Sequence, residues 1–187
     1  FGSKELISPC TNSSLHIALW KVDFSGSSQS AASIFENNCG ATIFDVEYSG
    51  LEYSKQSELL YSSLVFGTSS AAAGWNYDSK VYSHNNESLE STIEANASAT
   101  DSTSSILIAD IAIDSAGNLQ VLASAIGNYS VNSDSMSLGP YYNSIMGKFV
   151  FEISPNGLTV GQKLALPSAE GSQQISAMTD GRVIISS

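Results

Sequence analysis

The sequence predicts an all-β fold of antiparallel hairpins, and three stretches carry that expectation. In Ile106–Ser124, ILIADIAIDSAGNLQVLAS, apolar Ile111 and Ile113 stand two apart before the turn Asp114–Asn118, and Leu119 and Val121 stand two apart after it. That is the period of half-buried strands. A shorter copy at Ile175–Ser186 sets Asp180-Gly181 between two similar arms, and Asp-Gly between apolar runs is a strong local hairpin signal. Thirdly, ALWKVDFSGSSQSAASI and FVFEISPNGLTVGQKLAL match in type: an aromatic-rich strand, a Gly turn, then a strand of small and apolar residues.

Taken in chain order, Leu15–Phe24 alternates before Ser-Gly and opens the first copy of this internal repeat, and Ala41–Tyr53 follows it as a hairpin-like element. Gly67–Ser105 is rich in Ser, Ala and Asn. Within it, Ser88–Ala97 reads as a short helix, with Ser88 as N-cap and Leu89 and Ile93 on one face. The hairpin Ile106–Ser124 precedes the second copy, whose polar insertion Gly127–Gly147 carries Tyr129, Tyr141 and Tyr142. Aromatics on long polar loops are where recognition sites tend to sit. Lys148–Leu158 then repeats the strand-and-turn pattern, and Ile175–Ser187 closes the chain. The repeated unit is about four strands, as in a propeller blade.

On these residues the chain resembles a family. IADIAIDSAGNLQVLASAIGNYS followed by MGKFVFEISPNGLTVGQKLAL is similar to bacterial seven-bladed propeller repeats of the SBBP type, and more loosely to NHL-like blades. The resemblance spans about Ile106–Leu166 and implies propeller-like, four-stranded units. A closed propeller takes about four to eight blades of about 40 residues. Four short blades at most fit here, which leaves two architectures open: a fragment of a larger ring, or a β-sandwich.

At 187 residues the chain reads as one β-rich domain over 1–187, or a segment of a larger extracellular β protein, with 1–9 as an extended N-terminal arm. Serine is the commonest residue, whereas charged residues are only 13%. Hydroxyls and amides therefore do much of the solubilising. Eighteen acidic against seven basic residues give a net charge of −11, which works against phosphate-bearing partners, so neither nucleic acid nor an anionic membrane surface is expected. No apolar run approaches the length of a membrane span, so membrane insertion is not expected either. The start at Phe1 rather than Met reads as a processed form or a piece of something longer, and either fits export to the cell surface or beyond.

Cys10 and Cys39 lie in polar, turn-like surroundings and are expected to form a disulfide, worth about 3 kcal/mol on the chain-entropy account. Asn12, Asn86, Asn96 and Asn128 begin Asn-X-Ser sequons, with Asn86 and Asn96 the leading glycosylation candidates.

Catalytic signals are sparse. The two histidines, His16 in an alternating strand and His84 in a polar stretch read as loop, lack a Gly-x-Ser-x-Gly elbow. Glu36, Asp45, Glu47, Asp110 and Asp114 supply carboxylates without a spacing that fixes a glycosidase pair. Asp114, Asn118, Asn132 and Asp134 are of the right type for calcium, the one cofactor considered, though no Asp-x-Asp-x-Asp-Gly loop frames them. Trp75, flanked by Gly74 and Asn76, and the tyrosines at 129, 141 and 142 are the expected ligand contacts for a carbohydrate, whereas Trp20 reads as core. The sequence thus points to an extracellular structural or adhesive protein, a subunit of a surface appendage or a propeller module. It would work through self-association or contacts with other surface proteins. A glycan- or calcium-dependent binding module is the alternative, and a hydrolase comes last.

Overall fold

The structure is a computed structural model that describes residues 16–22, 29–36, 43–70, 74–100, 104–132, 134–137, 147–154, 164–166 and 174–186. It is all-β and antiparallel throughout, with no helix among the described residues. A hairpin of β1 (His16–Val22) and β2 (Gln29–Glu36) comes first. Four strands then follow in sequence as neighbours: β3 (Ile43–Ser54), β4 (Leu59–Ser70), β5 (Gly74–Asn85) and β6 (Ser91–Ala99). The chain leaves this sheet for the hairpin β7 (Ser105–Ile113) and β8 (Leu119–Ile126), then returns as β9 (Asn128–Val131) to pair with β6, with β10 (Asp134–Ser137) outside it. β11 (Gly147–Ile153) and β12 (Leu164–Leu166) extend the β7–β8 pair into a four-stranded antiparallel sheet of order β12-β11-β8-β7. A last hairpin joins β13 (Gln174–Ala177) to β14 (Val183–Ser186).

The six-stranded and four-stranded sheets share one core. Tyr61, Val81, Ala95, Ala97, Tyr129 and Val131 from the first meet Ile106, Ile108, Ile111, Val121, Phe149 and Phe151 from the second. Side chains alternate across a strand, so each sheet spends one face on this layer. The second face of the four-stranded sheet, at Ala112, Leu122 and Val150, is covered by Ile175 with Ala177, Val183 and Ile185 of the last hairpin. Cover on both sides explains why every residue of β8 from Leu119 to Ala125 is buried. Each large core side chain removed from water contributes about 1.5–3 kcal/mol.

Local chemistry sets the turns. Asp114 N donates to Asn118 O (2.9 Å), Gly117 N donates to Asp114 O (3.0 Å), and Gly117 takes φ 85°. That is a three-residue hairpin loop whose last position is left-handed, a role glycine fills without a steric cost. The terminal hairpin repeats it: Met178 N donates to Arg182 O, Gly181 N donates to Met178 O, and Gly181 has φ 81°. The two turns also touch, with Ser115 Oγ donating to Thr179 O at 2.8 Å. In β7, one extra residue at Ala109 shifts the register between Ile108↔Ala123 and Asp110↔Leu122. This bulge moves the inward phase from Ile106 and Ile108 to Ile111.

Two expectations are corrected. Ser88–Ala97 is not a helix: Asn85 Oδ1 accepts from the backbone N–H groups of Glu87 and Ser88 in a tight turn, and β6 begins at Ser91. Hydrogen-bonded partners on both sides, β5 and β9, outweigh a weak local helix preference. Nor is Ala41–Tyr53 hairpin-like, since Ile43–Ser54 is one strand that bends at bulges between Ile43 and Asp45 and between Tyr48 and Gly50. Both hairpins read from Asp-Gly and Asp-x-x-Gly-Asn are present, and β1 pairs with β2 and β11 with β12. Among the described residues the sheets do not close into a ring.

Candidate functional site

His84 stands on β5 rather than in a loop and is fully buried. Its ring bridges the neighbouring strands: Nε2 lies 2.7 Å from Ser62 Oγ on β4 and Nδ1 lies 2.9 Å from Ser91 Oγ on β6. Tyr82, two residues earlier on the same face, stacks with it at 6.3 Å. Burial lowers the His84 pKa, so the imidazole is held neutral. A Ser-His nucleophile would need a carboxylate on the second nitrogen and access for a substrate. This ring has a hydroxyl there, and Ser62 is itself fully buried. The cluster is a hydrogen-bonded tie across three strands.

A different arrangement lies along β3, the end strand of the six-stranded sheet. Over Gly50–Ser54 it pairs regularly with β4, from Gly50↔Ser63 to Ser54↔Leu59. Alternation puts Leu51 and Tyr53 on one face and Gly50 and Glu52 on the other. Leu51 is 47% and Tyr53 45% exposed, and with Tyr48 at 46% they make three of the five large exposed apolar side chains among the described residues. Beneath Gly50 runs β7, so close that a Cβ there would stand 2.9 Å from Ile111 Cγ1 and 3.1 Å from Asp110 Oδ1.

Asp110 and Glu52 therefore sit on the same side of the strand. Burial first, then the Asp110 carboxylate, raises the Glu52 pKa, and burial, Glu52 and Asp110 in that order push the Tyr48 phenol upward. Asp110 is anchored by backbone amides, with Oδ1 accepting from Ile111 N (2.9 Å) and Oδ2 from Ile175 N (3.0 Å). An exposed ion pair joins Arg182 to Asp180, and no described cation pairs with Glu52 or Asp110.

The free edges of the two sheets are treated differently. Two backbone groups on the outer side of β7 are satisfied from within, because Ser79 Oγ on β5 donates to Ile106 O and accepts from Ile108 N, both at 3.0 Å. No described residue does the same for Gly50–Ser54. Sequence reasoning missed this edge. The signal it offered was the run EYSGLEY, in which Leu51 and Tyr53 stand two apart while Tyr48 and Leu51 stand three apart, with a glycine at the break in the alternation.

The sequence-predicted residues fall as follows. Tyr129 is not on a recognition loop: it is wholly buried on β9, stacked on Phe149 at 5.1 Å, with no partner for its hydroxyl among the described residues. Pairing of β9 with β6 carries it inward opposite Ala99. Trp75 lies near the start of β5, opposite Ser69. Cys10, Cys39, Asn12, Tyr141, Tyr142 and the arm 1–9 lie outside the described residues. Asn86 sits in the β5–β6 turn, where its carbonyl accepts from Lys21 Nζ at 2.8 Å. Asn96 is half-buried on β6, its amide donating to Ser98 Oγ at 3.3 Å, and Asn128 is exposed at the start of β9.

The calcium candidates do local work. Asp114 Oδ1 accepts from Ala116 N and Asn118 N, and Oδ2 from Asn118 Nδ2 and Gln120 Nε2, so this carboxylate organises its own turn. Asn132, at φ 54°, extends the β6–β9 ladder by accepting from Asn96 N through Oδ1. Asp134 opens β10 opposite Val131. Of the carboxylates weighed for glycoside cleavage, Asp110 and Asp114 lie at opposite ends of the Asp110–Asp114 run and face separate hydrogen-bond sets.

Fold and site define an antiparallel all-β protein with an exposed apolar strand edge. Neither a family model nor a curated protein nor a solved structure matches the chain.

Proposed function

We propose that this chain works by contact rather than catalysis, as a structural or adhesive β protein of the cell exterior. The observation that carries the reading is the cluster of Tyr48, Leu51 and Tyr53, exposed on one end strand, since large apolar groups gathered at a sheet edge favour pairing with another chain. The burial of His84 and Ser62 supports it too, by taking the most enzyme-like pair out of reach of a substrate. For the architecture we favour a β-sandwich over a ring of blades, because both sheets feed one core. Export brings with it a Cys10–Cys39 disulfide and glycan on at least one sequon, with Asn86 and Asn128 now favoured for their turn and strand-end positions. The N-terminal arm is the strand this chain would donate to a neighbour.

The test is assembly. Light scattering across a concentration series should show self-association of the full chain that is weakened by deleting Phe1–Ile7 while the circular dichroism spectrum is kept. A strict monomer at high concentration that also retains no surface protein from its native source would sink the reading. Mass spectrometry of native material checks the disulfide and the glycan independently.

A further inference from the structure

Resting on that reading, we propose that the outer edge of β3 over Gly50–Ser54 receives an extended strand from another protein, one that carries a Lys or Arg between two apolar residues. The regular register of Gly50–Ser54 with β4 leaves alternate backbone groups of this stretch pointing away from the sheet, ready for a further antiparallel strand. The contrast with β7 is the reason to place the site here. Ser79 supplies the β7 edge with a donor and an acceptor from inside the protein, and the β7 residues beside it are buried. On β3 the side chains at the edge are half exposed instead.

The side-chain pattern then selects the occupant. Residues of an added strand alternate faces in step with β3, so those opposite Leu51 and Tyr53 meet apolar surface, and the one between them lies on the face of Glu52. That face is negative. Asp110 Oδ1 lies against Gly50, the neighbour of Glu52 on this face, its carboxylate adds to burial in raising the Glu52 pKa, and no described cation pairs with either. A Lys or Arg at the middle position would relieve the repulsion, while a carboxylate there would add to it.

The same charges argue against a second copy of β3 as the occupant. The charged residues of Ile43–Ser54 are Asp45, Glu47 and Glu52, so no register of a two-fold pairing of this strand sets a cation against an acid. Natural edges are commonly protected by Lys or Pro, and this strand has neither within it.

The experiment uses the full chain and three fluorescent peptides of the same length: one alternating Val and Lys, one alternating Val and Glu, and a Val–Lys peptide N-methylated at alternate backbone amides. Anisotropy titrations should show binding of the first, and binding weaker by about tenfold or more for the second and third, because the second reverses the charge and the third blocks strand pairing. The exposed double variant Leu51→Thr/Tyr53→Thr, unchanged in charge and checked for fold by its melting temperature, should lose binding of the first peptide by a similar factor. Equal binding of the methylated peptide would reduce the contact to bulk charge attraction and overturn the proposal, as would unchanged binding by the double variant. If the full chain self-associates and the double variant abolishes that while the peptides do not bind, the occupant is a second copy. The proposed partner chemistry is then wrong, while the contact function stands.

Discussion

Gly127 packs against Ser104, and this contact closes the loop by which the chain passes from one sheet to the other. A Cβ at Gly127 would stand 3.0 Å from Ser104 Cβ and 3.3 Å from its Cα, and Gly127 holds φ 73°. Beside it, Asn128 N donates to Ser104 Oγ at 2.9 Å, which sets β9 against the strand pair it has just left. Both the conformation and the space demand glycine.

Gly127→Ala is therefore expected to cost about 3 kcal/mol or more, combining left-handed strain with an overlap that involves backbone. Gly181, at φ 81° but with open space where a Cβ would stand and no atom within 4 Å of it, gives the comparison: Gly181→Ala carries the strain alone. That variant should cost about 1 kcal/mol. Urea denaturation of the two variants measures the difference. Equal costs would show that the Ser104 contact yields easily.

His84 makes stability depend on pH with a definite sign. Its folded pKa is depressed by burial below the ordinary 6.5, so folding favours the neutral ring. The contribution is complete above that ordinary value and is lost as pH falls through it toward the depressed folded value, with a slope of at most about 1.4 kcal/mol per pH unit. Glu52 and Asp78 act oppositely. Burial raises both, and for Asp78 the Ala99 N–H and Lys80 partly offset that, so acidification in the carboxylate range favours their folded forms. His84→Gln should lower stability at neutral pH yet flatten the curve just below pH 6.5. Parallel curves for the two proteins would mean that His84 does not titrate on unfolding.

The buried hydroxyl of Tyr129 has no partner among the described residues, and burial pushes its pKa upward. An unpaired buried polar group costs free energy, whereas the ring itself stacks on Phe149 and would remain in Tyr129→Phe. The substitution should be neutral or stabilising by up to about 1 kcal/mol. A clear loss of stability on thermal melting would reveal a hydrogen bond that the hydroxyl makes in solution.

The sequence made the hairpins legible because their signals are local. Asp114 and Gly117 fix one turn through a side-chain acceptor and a left-handed residue, and Asp180-Gly181 marks a second turn of the same build. What it hid depends on partners far along the chain. Ser88–Ala97 reads as a short helix, yet most of it lies in the strand Ser91–Ala99 because β5 and β9 flank it. Tyr129 stands in a polar run and is carried into the core by its pairing with β6. His84 reads as loop from its Ser and Asn neighbours, and only the cross-strand positions of Ser62 and Ser91 make its burial tolerable. The β3 edge was invisible for a related reason: strand order, not strand sequence, decides which strand ends a sheet.

Asp110 couples the last hairpin to the rest of the molecule. Its Oδ2 accepts from Ile175 N at 3.0 Å, and Ile175 is the side chain that β13 buries over Ala112, Leu122 and Val150. The bulge at Ala109 is what turns Asp110 to that side of β7, since without the extra residue the alternation of Ile106 and Ile108 would continue inward at this position. Asp110→Ala removes the acceptor and leaves the Ile175 amide to find water, at a cost of about 1–3 kcal/mol. The loss should be local first. Hydrogen exchange should quicken at Ile175 and along Val183–Ser186 before it changes in β8, whose residues are covered on both faces. Uniform acceleration across β8 and the hairpin together would show that the two open as one unit, and that Asp110 fastens nothing that the core does not already hold.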